Sequence, residues 1–226
     1  MTQDDAKALV GKRAAAMVED GMRVGLGTGS TSVQFIKALG ARVQQGLKIR
    51  AVASSDSSAE LGRSLGIEVV SLEEMPEIDL YIDGADEVAP GLALIKGGGA
   101  ALLREKIVAS SSKRFVCVVD ESKLVPHLGK FPLPIEIIKM ARPLVEDKLF
   151  KLGLNPMLRM QKDGASPLLT DEQNYILDCH CGVIEDPEKT AAEIRAIVGV
   201  VEHGLFLRMA EVALVAGGNG VTEYNG

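Results

Sequence analysis

Apolar residues recur at helical spacing over residues 4–19, where Ala6, Leu9, Val10, Ala14, Met17 and Val18 form one stripe. Asp20-Gly21 ends the stripe, and Met22–Leu26 reads as a short strand. A glycine- and hydroxyl-rich loop over 27–31 then leads into a predicted helix over 32–39. The next strand, 49–53, runs into Ser54-Ser55-Asp56-Ser57-Ser58, a polar turn suited to capping a helix over 59–65. Residues 67–70 and 79–82 read as further strands and 100–109 as a helix. The largely apolar stretch 114–119 suits a strand buried on both faces. Strands alternating with helices of this length predict an α/β fold built on a doubly wound, mainly parallel sheet.

The pattern changes near Phe131-Pro132-Leu133-Pro134. A strand over 135–138, a helix over 142–152, a hairpin pairing 155–160 with 175–178, a helix near 187–197 and a strand near Val200 make a small α+β module. The apolar segment 210–216 suits a return to the first sheet. The predicted organisation is therefore a discontinuous larger domain, 1–130 plus 205–226, interrupted by an inserted α+β domain over 131–204.

Composition narrows the class of function. A formal charge of −6 and an aromatic content of 4%, with no Trp, argue against a nucleic-acid partner, which wants basic surface and stacking platforms. No apolar run reaches membrane-spanning length, and the N-terminal residues lack the basic-then-apolar order of a signal peptide. Three cysteines, an odd number, suggest reduced thiols and a cytoplasmic protein.

Candidate chemistry concentrates in four loops. Gly25-Leu-Gly-Thr-Gly-Ser-Thr31 follows a strand and opens a helix, so Thr28, Gly29, Ser30 and Thr31 offer N–H and hydroxyl donors at the carboxyl edge of the sheet. It matches neither the Walker nor the dinucleotide signature. Read alone it suits a plain strand-to-helix turn as well as a phosphate cradle; three adjacent donors favour phosphate. Asp83-Gly84-Ala85-Asp86 leaves a strand end, and its carboxylates can hydrogen-bond sugar hydroxyls, hold a divalent cation or merely organise a turn. Glu87 reads as a solvated charge. Lys96-Gly97-Gly98-Gly99 sets an ammonium beside an amide-rich helix start. Glu105 then falls on a helix face with Leu102 and Ala109 rather than with Lys106; apolar neighbours raise a carboxylate's proton affinity, as a general base near neutral pH requires. Lys123 follows the buried strand and again stands at the sheet's carboxyl edge, while Lys7 is a further cation without a local assignment. Cys179-His180-Cys181 alternates along a strand, with both sulfurs on one face and the imidazole on the other. It lacks the spacing and the second ligand pair of a structural zinc site, and no metal is assigned.

These segments resemble the type A ribose-5-phosphate isomerases. The likeness rests on Gly25-Leu-Gly-Thr-Gly-Ser-Thr31, Ser54-Ser-Asp-Ser-Ser58, Asp83-Gly-Ala-Asp-Glu87, Ile95-Lys-Gly-Gly-Gly-Ala-Ala-Leu-Leu-Arg-Glu-Lys-Ile107, Lys130-Phe-Pro-Leu-Pro-Ile-Glu136 and Gly204-Leu-Phe206, and spans essentially the whole chain. It implies a Rossmann-like fold with an inserted module, usually as a homodimer or dimer of dimers, and interconversion of D-ribose 5-phosphate and D-ribulose 5-phosphate in the non-oxidative pentose phosphate pathway without metal or organic cofactor. It also implies Glu105 as the proton-transferring base; Asp83 is then the candidate for the proton exchange of ring opening and Lys96 for stabilising a cis-enediolate. Thr28–Thr31, Asp83–Asp86, Lys96–Gly99 and Lys123 are the implied substrate contacts. One departure stands in the small module: where the family often has Thr-Asp-Asn-Gly-Asn, this chain has Thr170-Asp-Glu-Gln-Asn174, which alters a hairpin turn. Two other classes fit parts of the pattern. One is a CoA-transferase-like enzyme with Glu105 as nucleophile; the other is a non-catalytic sugar-phosphate sensor, for which the chain has no spare DNA-reading segment.

Overall fold

The computed structural model describes residues 1–226. The first stretch of chain runs α1 (Gln3–Ala15), β1 (Arg23–Leu26), α2 (Ser30–Gln44), β2 (Arg50–Ala53), α3 (Asp56–Ser64), β3 (Glu68–Val69) and β4 (Leu80–Asp83). It continues through β5 (Glu87–Ala89), β6 (Ala93–Ile95), α4 (Leu102–Ser110), β7 (Phe115–Asp120), β8 (Leu133–Ile137) and α5 (Arg142–Lys151). It closes with β9 (Pro156–Leu158), β10 (Tyr175–Cys179), α6 (Pro187–Arg195), β11 (Val200–His203), β12 (Leu205–Phe206), β13 (Val212–Gly217) and β14 (Gly220–Asn225). No helix is long and apolar enough to cross a membrane.

Two compact units emerge: 1–85 with 104–124 and 208–226, and 86–103 with 125–207. In the first, seven strands form a sheet in the order β14-β13-β7-β4-β1-β2-β3, parallel except for the β13–β14 hairpin. This is the predicted doubly wound sheet. Its core gathers Val10, Ala14 and Val18 with Phe35, Ile36 and Leu39 against Leu26, Ile82 and Val118. Ala6, Val10, Ala14 and Val18 of the α1 stripe are thus buried and Met17 partly so, whereas Leu9 is exposed, and the helix starts at a capping box in which Thr2 Oγ1 accepts the Asp5 N–H at 3.1 Å. From β1 the chain winds to β2 and β3 on one side, then crosses to β4 on the other. The carboxyl ends of β1 and β4 therefore lie side by side at the switch point, where open α/β sheets bind ligands.

The second unit holds a four-stranded antiparallel sheet, β11-β8-β10-β9, and a three-stranded one, β12-β6-β5. Its core packs Leu133, Ile135 and Ile137 with Val145, Leu149, Leu177 and Ile194. The predicted hairpin is present as the antiparallel β9–β10 pair. The boundary drawn from sequence at 131–204 differs from this unit, which also takes in 86–103. The reason is β6, which pairs with β5 on one side and with β12 on the other and so ties residues 87–95 to 205–206.

Glu87 is not a solvated charge. It is 2% exposed on β5, and its carboxylate accepts the backbone N–H groups of Gly129 at 2.7 Å and Phe131 at 2.5 Å. A buried carboxylate with two N–H donors is a structural tie, here holding the segment before β8.

Candidate active site

Within the first unit the site begins at the loop after β1. Gly27 passes so close to Asp83 that a Cβ on it would come within 2.1 Å of Asp83 Oδ1, which excludes every side chain there. This approach delivers the Thr28 N–H to Asp83 Oδ1 at 2.8 Å. The same oxygen accepts the Ser32 hydroxyl at 2.8 Å and the Gly84 N–H at 2.7 Å. Asp83 Oδ2 accepts the Tyr81 hydroxyl. Asp83 is fully buried, and its two oxygens are fixed by donors from β4, its following turn, the β1 loop and α2.

Tyr81 is the central side chain that sequence reading left among the apolar strand residues. Its ring is fully buried and tilts against Phe115 at 4.9 Å between centroids. Burial, followed by the nearby charges of Asp83 and Glu105, pushes its phenol pKa well above the ordinary 10.0. Glu105 lies in the first turn of α4 and is 3% exposed. Two buried carboxylates thus act on one buried hydroxyl at the carboxyl edge of the parallel sheet. Glu105 shares its helix's buried side with Leu102 and Ala109, as expected. Lys106 is also buried. Arg104 pairs with Asp56 at 2.6 Å.

The serine-rich turn does more than cap α3. Ser55 accepts the Ser58 N–H at 3.2 Å in the predicted capping role. Thr28 Oγ1 also meets Ser54 Oγ at 2.8 Å and Ser55 Oγ at 2.9 Å, and Ser58 donates to the Gly27 carbonyl at 2.7 Å. The Thr28 hydroxyl is therefore spent on holding the loop. Gly29, with φ +102°, precedes α2, and Ser30 and Thr31 stand in its first turn, where backbone N–H groups without intrahelical partners suit an anion. Lys123 closes the turn after β7, half-buried on the same sheet edge.

Within the second unit Asp86 accepts the Gly98 N–H at 2.8 Å, so the two aspartates of the motif have different partners. Lys96 is 2% exposed, with its Nζ 5.5 Å above the Phe206 ring, a cation–π contact. Gly97 has φ +109°, and a Cβ there would press on Leu102 and Pro134 at 2.9 and 3.2 Å. Arg159, which no sequence signal marked, donates from Nη1 to the carbonyls of Gly97 at 2.9 Å and Gly98 at 3.2 Å. Cys179 is buried, His180 exposed and Cys181 half-buried. Burial lifts the Cys181 thiol pKa to about 11.

The family model for ribose 5-phosphate isomerase A (phosphoriboisomerase A) matches residues 50–220. The ribose-5-phosphate isomerase A of Levilactobacillus brevis is 51% identical over 226 residues, covering 100% of this chain and 99% of the relative. That of Bacillus mycoides is also 51% identical, covering 96% and 98%. A solved D-ribose-5-phosphate isomerase in complex with phospho-erythronic acid superposes with a TM-score of 0.97 at 38% identity, covering 100% of both chains. The ribose 5-phosphate isomerase A of Methanocaldococcus jannaschii gives 0.95 at 38%, again with 100% of each chain covered. With full-length likeness in sequence and in fold, this chain belongs to the ribose 5-phosphate isomerase A family.

Proposed function

We infer that the chain is an aldose–ketose isomerase that interconverts D-ribose 5-phosphate and D-ribulose 5-phosphate, a step of the non-oxidative pentose phosphate pathway. The observation that carries the chemistry is the pair of buried carboxylates, Asp83 and Glu105, acting on the one buried Tyr81 hydroxyl. Such a pair can divide proton work without competing for solvent. Asp83, held by four donors, exchanges a proton with the sugar as its ring opens. Glu105 takes the C2 proton; the C2–H electron pair forms the C1–C2 double bond of a cis-enediolate, with negative charge on oxygen. Lys96 and nearby backbone N–H groups of the Gly97–Gly99 loop not already bonded within it stabilise that charge, the Gly98 N–H being held by Asp86. Within the enediolate the C2 hydroxyl proton passes to the C1 oxygen; Glu105 then returns its proton to C1 as the C2 oxygen becomes the ketone, so the proton count closes.

The phosphate is assigned to the α2 start over Gly29–Thr31 and to Lys123, with Thr28 holding the loop; Gly84, Ala85 and Asp86 face the sugar hydroxyls. In this reading the enzyme works in the cytoplasm with its three cysteines reduced. It assembles as a homodimer or dimer of dimers through its second unit, where Met140, Phe150 and Met157 are 92%, 68% and 61% exposed. Light scattering on the eluting peak reads that state. The CoA-transferase-like and sensor readings gain no supporting observation.

The test incubates the protein with ribose 5-phosphate and follows ketopentose by NMR, with and without EDTA. Expected are turnover insensitive to EDTA and a Glu105→Gln variant that binds phospho-erythronic acid while its turnover is abolished. Ribulose 5-phosphate formed by that variant near the wild-type rate removes Glu105 from the mechanism, and an inactive wild-type protein removes the function.

A further inference from the structure

We propose that Arg159, anchored by Asp178, is a positioning residue that fixes the peptide orientation of the Gly97–Gly99 loop and thereby sets kcat. The proposal rests on the isomerase reading for its kinetic arm only. Arg159 lies just beyond β9, and its guanidinium is used on both sides. Nε donates to Asp178 Oδ2 at 2.8 Å and Nη2 to Asp178 Oδ1 at 2.5 Å, while Nη1 reaches the Gly97 and Gly98 carbonyls. The ion pair is largely withdrawn from water, with side-chain exposures of 13% for Arg159 and 21% for Asp178. A planar fork locked by a bidentate carboxylate has little freedom left, so its remaining edge is a fixed donor.

The geometry of the peptide makes this consequential. In a trans peptide the C=O and the following N–H point to opposite sides. Drawing the Gly97 carbonyl to Arg159 turns the Gly98 N–H the other way, where Asp86 Oδ2 receives it at 2.8 Å. Drawing the Gly98 carbonyl to the same nitrogen turns the Gly99 N–H to the side away from Arg159. Glycine peptides flip with little steric resistance, and nothing in a Gly-Gly-Gly run itself selects one orientation. The turn bond from the Ala100 N–H to the Gly97 carbonyl at 3.0 Å contributes, and Arg159 and Asp86 complete the selection, one from each side, with Arg159 the side-chain donor to the Gly98 carbonyl. N–H donors aimed beforehand at a developing oxyanion lower its barrier, whereas donors that must first rotate do not. The β9–β10 hairpin thus has a task in catalysis although it contributes no substrate contact to the proposed site.

The variants are Arg159→Met, Arg159→Lys and Asp178→Asn. Misplacing reacting geometry by about 1 Å costs on the order of 100-fold, so kcat is expected to fall roughly 10–100-fold in both Arg159 variants, with KM within about threefold. Lysine does not rescue, since a point charge cannot hold a bidentate carboxylate and two carbonyls together. Asp178→Asn is expected to fall between these and wild type. Affinity for phospho-erythronic acid, whose planar carboxylate resembles an enediolate, should drop in step with kcat. The independent readout is hydrogen exchange at the Gly98 amide, bonded to Asp86, expected to accelerate in each variant while core amides of β8 and β10 stay protected. Unchanged exchange at Gly98 together with kcat within twofold of wild type in Arg159→Lys and Asp178→Asn overturns the proposal. So does a fall in kcat that merely tracks the fraction of folded enzyme. Inactive wild-type protein would instead overturn the isomerase reading, and the exchange measurement would still decide the clamp.

Discussion

Removing one oxygen, in Tyr81→Phe, tests how the buried acid–base cluster is held. Phenylalanine keeps the ring packing on Phe115, and the ring has no room to move, because even a Cβ on Gly25 would come within 2.6 Å of Tyr81 Cδ2. The change therefore deletes the donor to Asp83 Oδ2 together with the phenol's hydrogen bond with Ser54. A hydrogen bond to a charged group contributes roughly 1.5–3 kcal/mol, and Asp83 retains three other donors, so a loss of about 2 kcal/mol is expected. For a chain of this length that corresponds to a fall in Tm of roughly 4–8 °C. The pH dependence has a definite sign. The phenol pKa is raised in the folded protein, so its contribution is fully present below pH ~10 and is lost as pH rises toward the folded value. The gap between wild type and Tyr81→Phe should accordingly narrow above pH ~10. Urea titrations at neutral and alkaline pH measure both, and kcat on ribose 5-phosphate should fall at neutral pH as Asp83 loses a positioning donor. A loss under about 0.5 kcal/mol at neutral pH, or a gap that widens in alkali, would refute the reasoning.

Three further changes probe other parts of the chain. Glu87→Gln replaces an acceptor oxygen with an NH₂ that confronts the N–H of Gly129 or Phe131, and should cost about 3 kcal/mol; an unchanged urea midpoint would contradict that role. Gln173 sits at φ +62° in the turn closed by its N–H to Thr170 at 2.8 Å, so Gln173→Gly should stabilise by about 1 kcal/mol, read as a higher Tm; a lower Tm would show that the side chain compensates the strain. Asp79, bonded first by Arg23 and also by Lys113, is held well below the usual carboxylate range. Its contribution is present above pH ~4 and lost as pH falls further, and Asp79→Asn should flatten the acid limb of the stability profile; an unchanged limb would sink this assignment.

Much of the parallel sheet was legible because β1, β2, β4, β7 and β13 are short apolar runs ended by glycine, serine or acidic turns. The motifs at their carboxyl ends were legible for the same reason: strand ends fix where a loop can place a donor. Three-residue strands such as β5 and β6 escaped, since no period shows in so short a run and their pairing with β12 is remote in sequence. Glu87 was misread with them, as its partners lie some forty residues on, at Gly129 and Phe131. Tyr81 gave no signal because a strand tyrosine is ordinarily packing, and its task depends on Asp83 two positions later. Arg159 is likewise defined by what it reaches. The left-handed turn at Gln173 persists without glycine because Thr170 and Asn174 both anchor to Glu136, at 2.9 and 3.0 Å.

The chain passes between its two units at 85–86, 103–104, 124–125 and 207–208, so no single cut separates them. Any fragment ending before residue 212 leaves β7 without its parallel neighbour β13. β13 must therefore have left the ribosome before the central sheet can be completed. Until then an apolar strand edge stands open, a template for wrong pairing during synthesis. Expression of either half alone should yield aggregate, and a stop codon late in the message should be nearly as damaging as an early one.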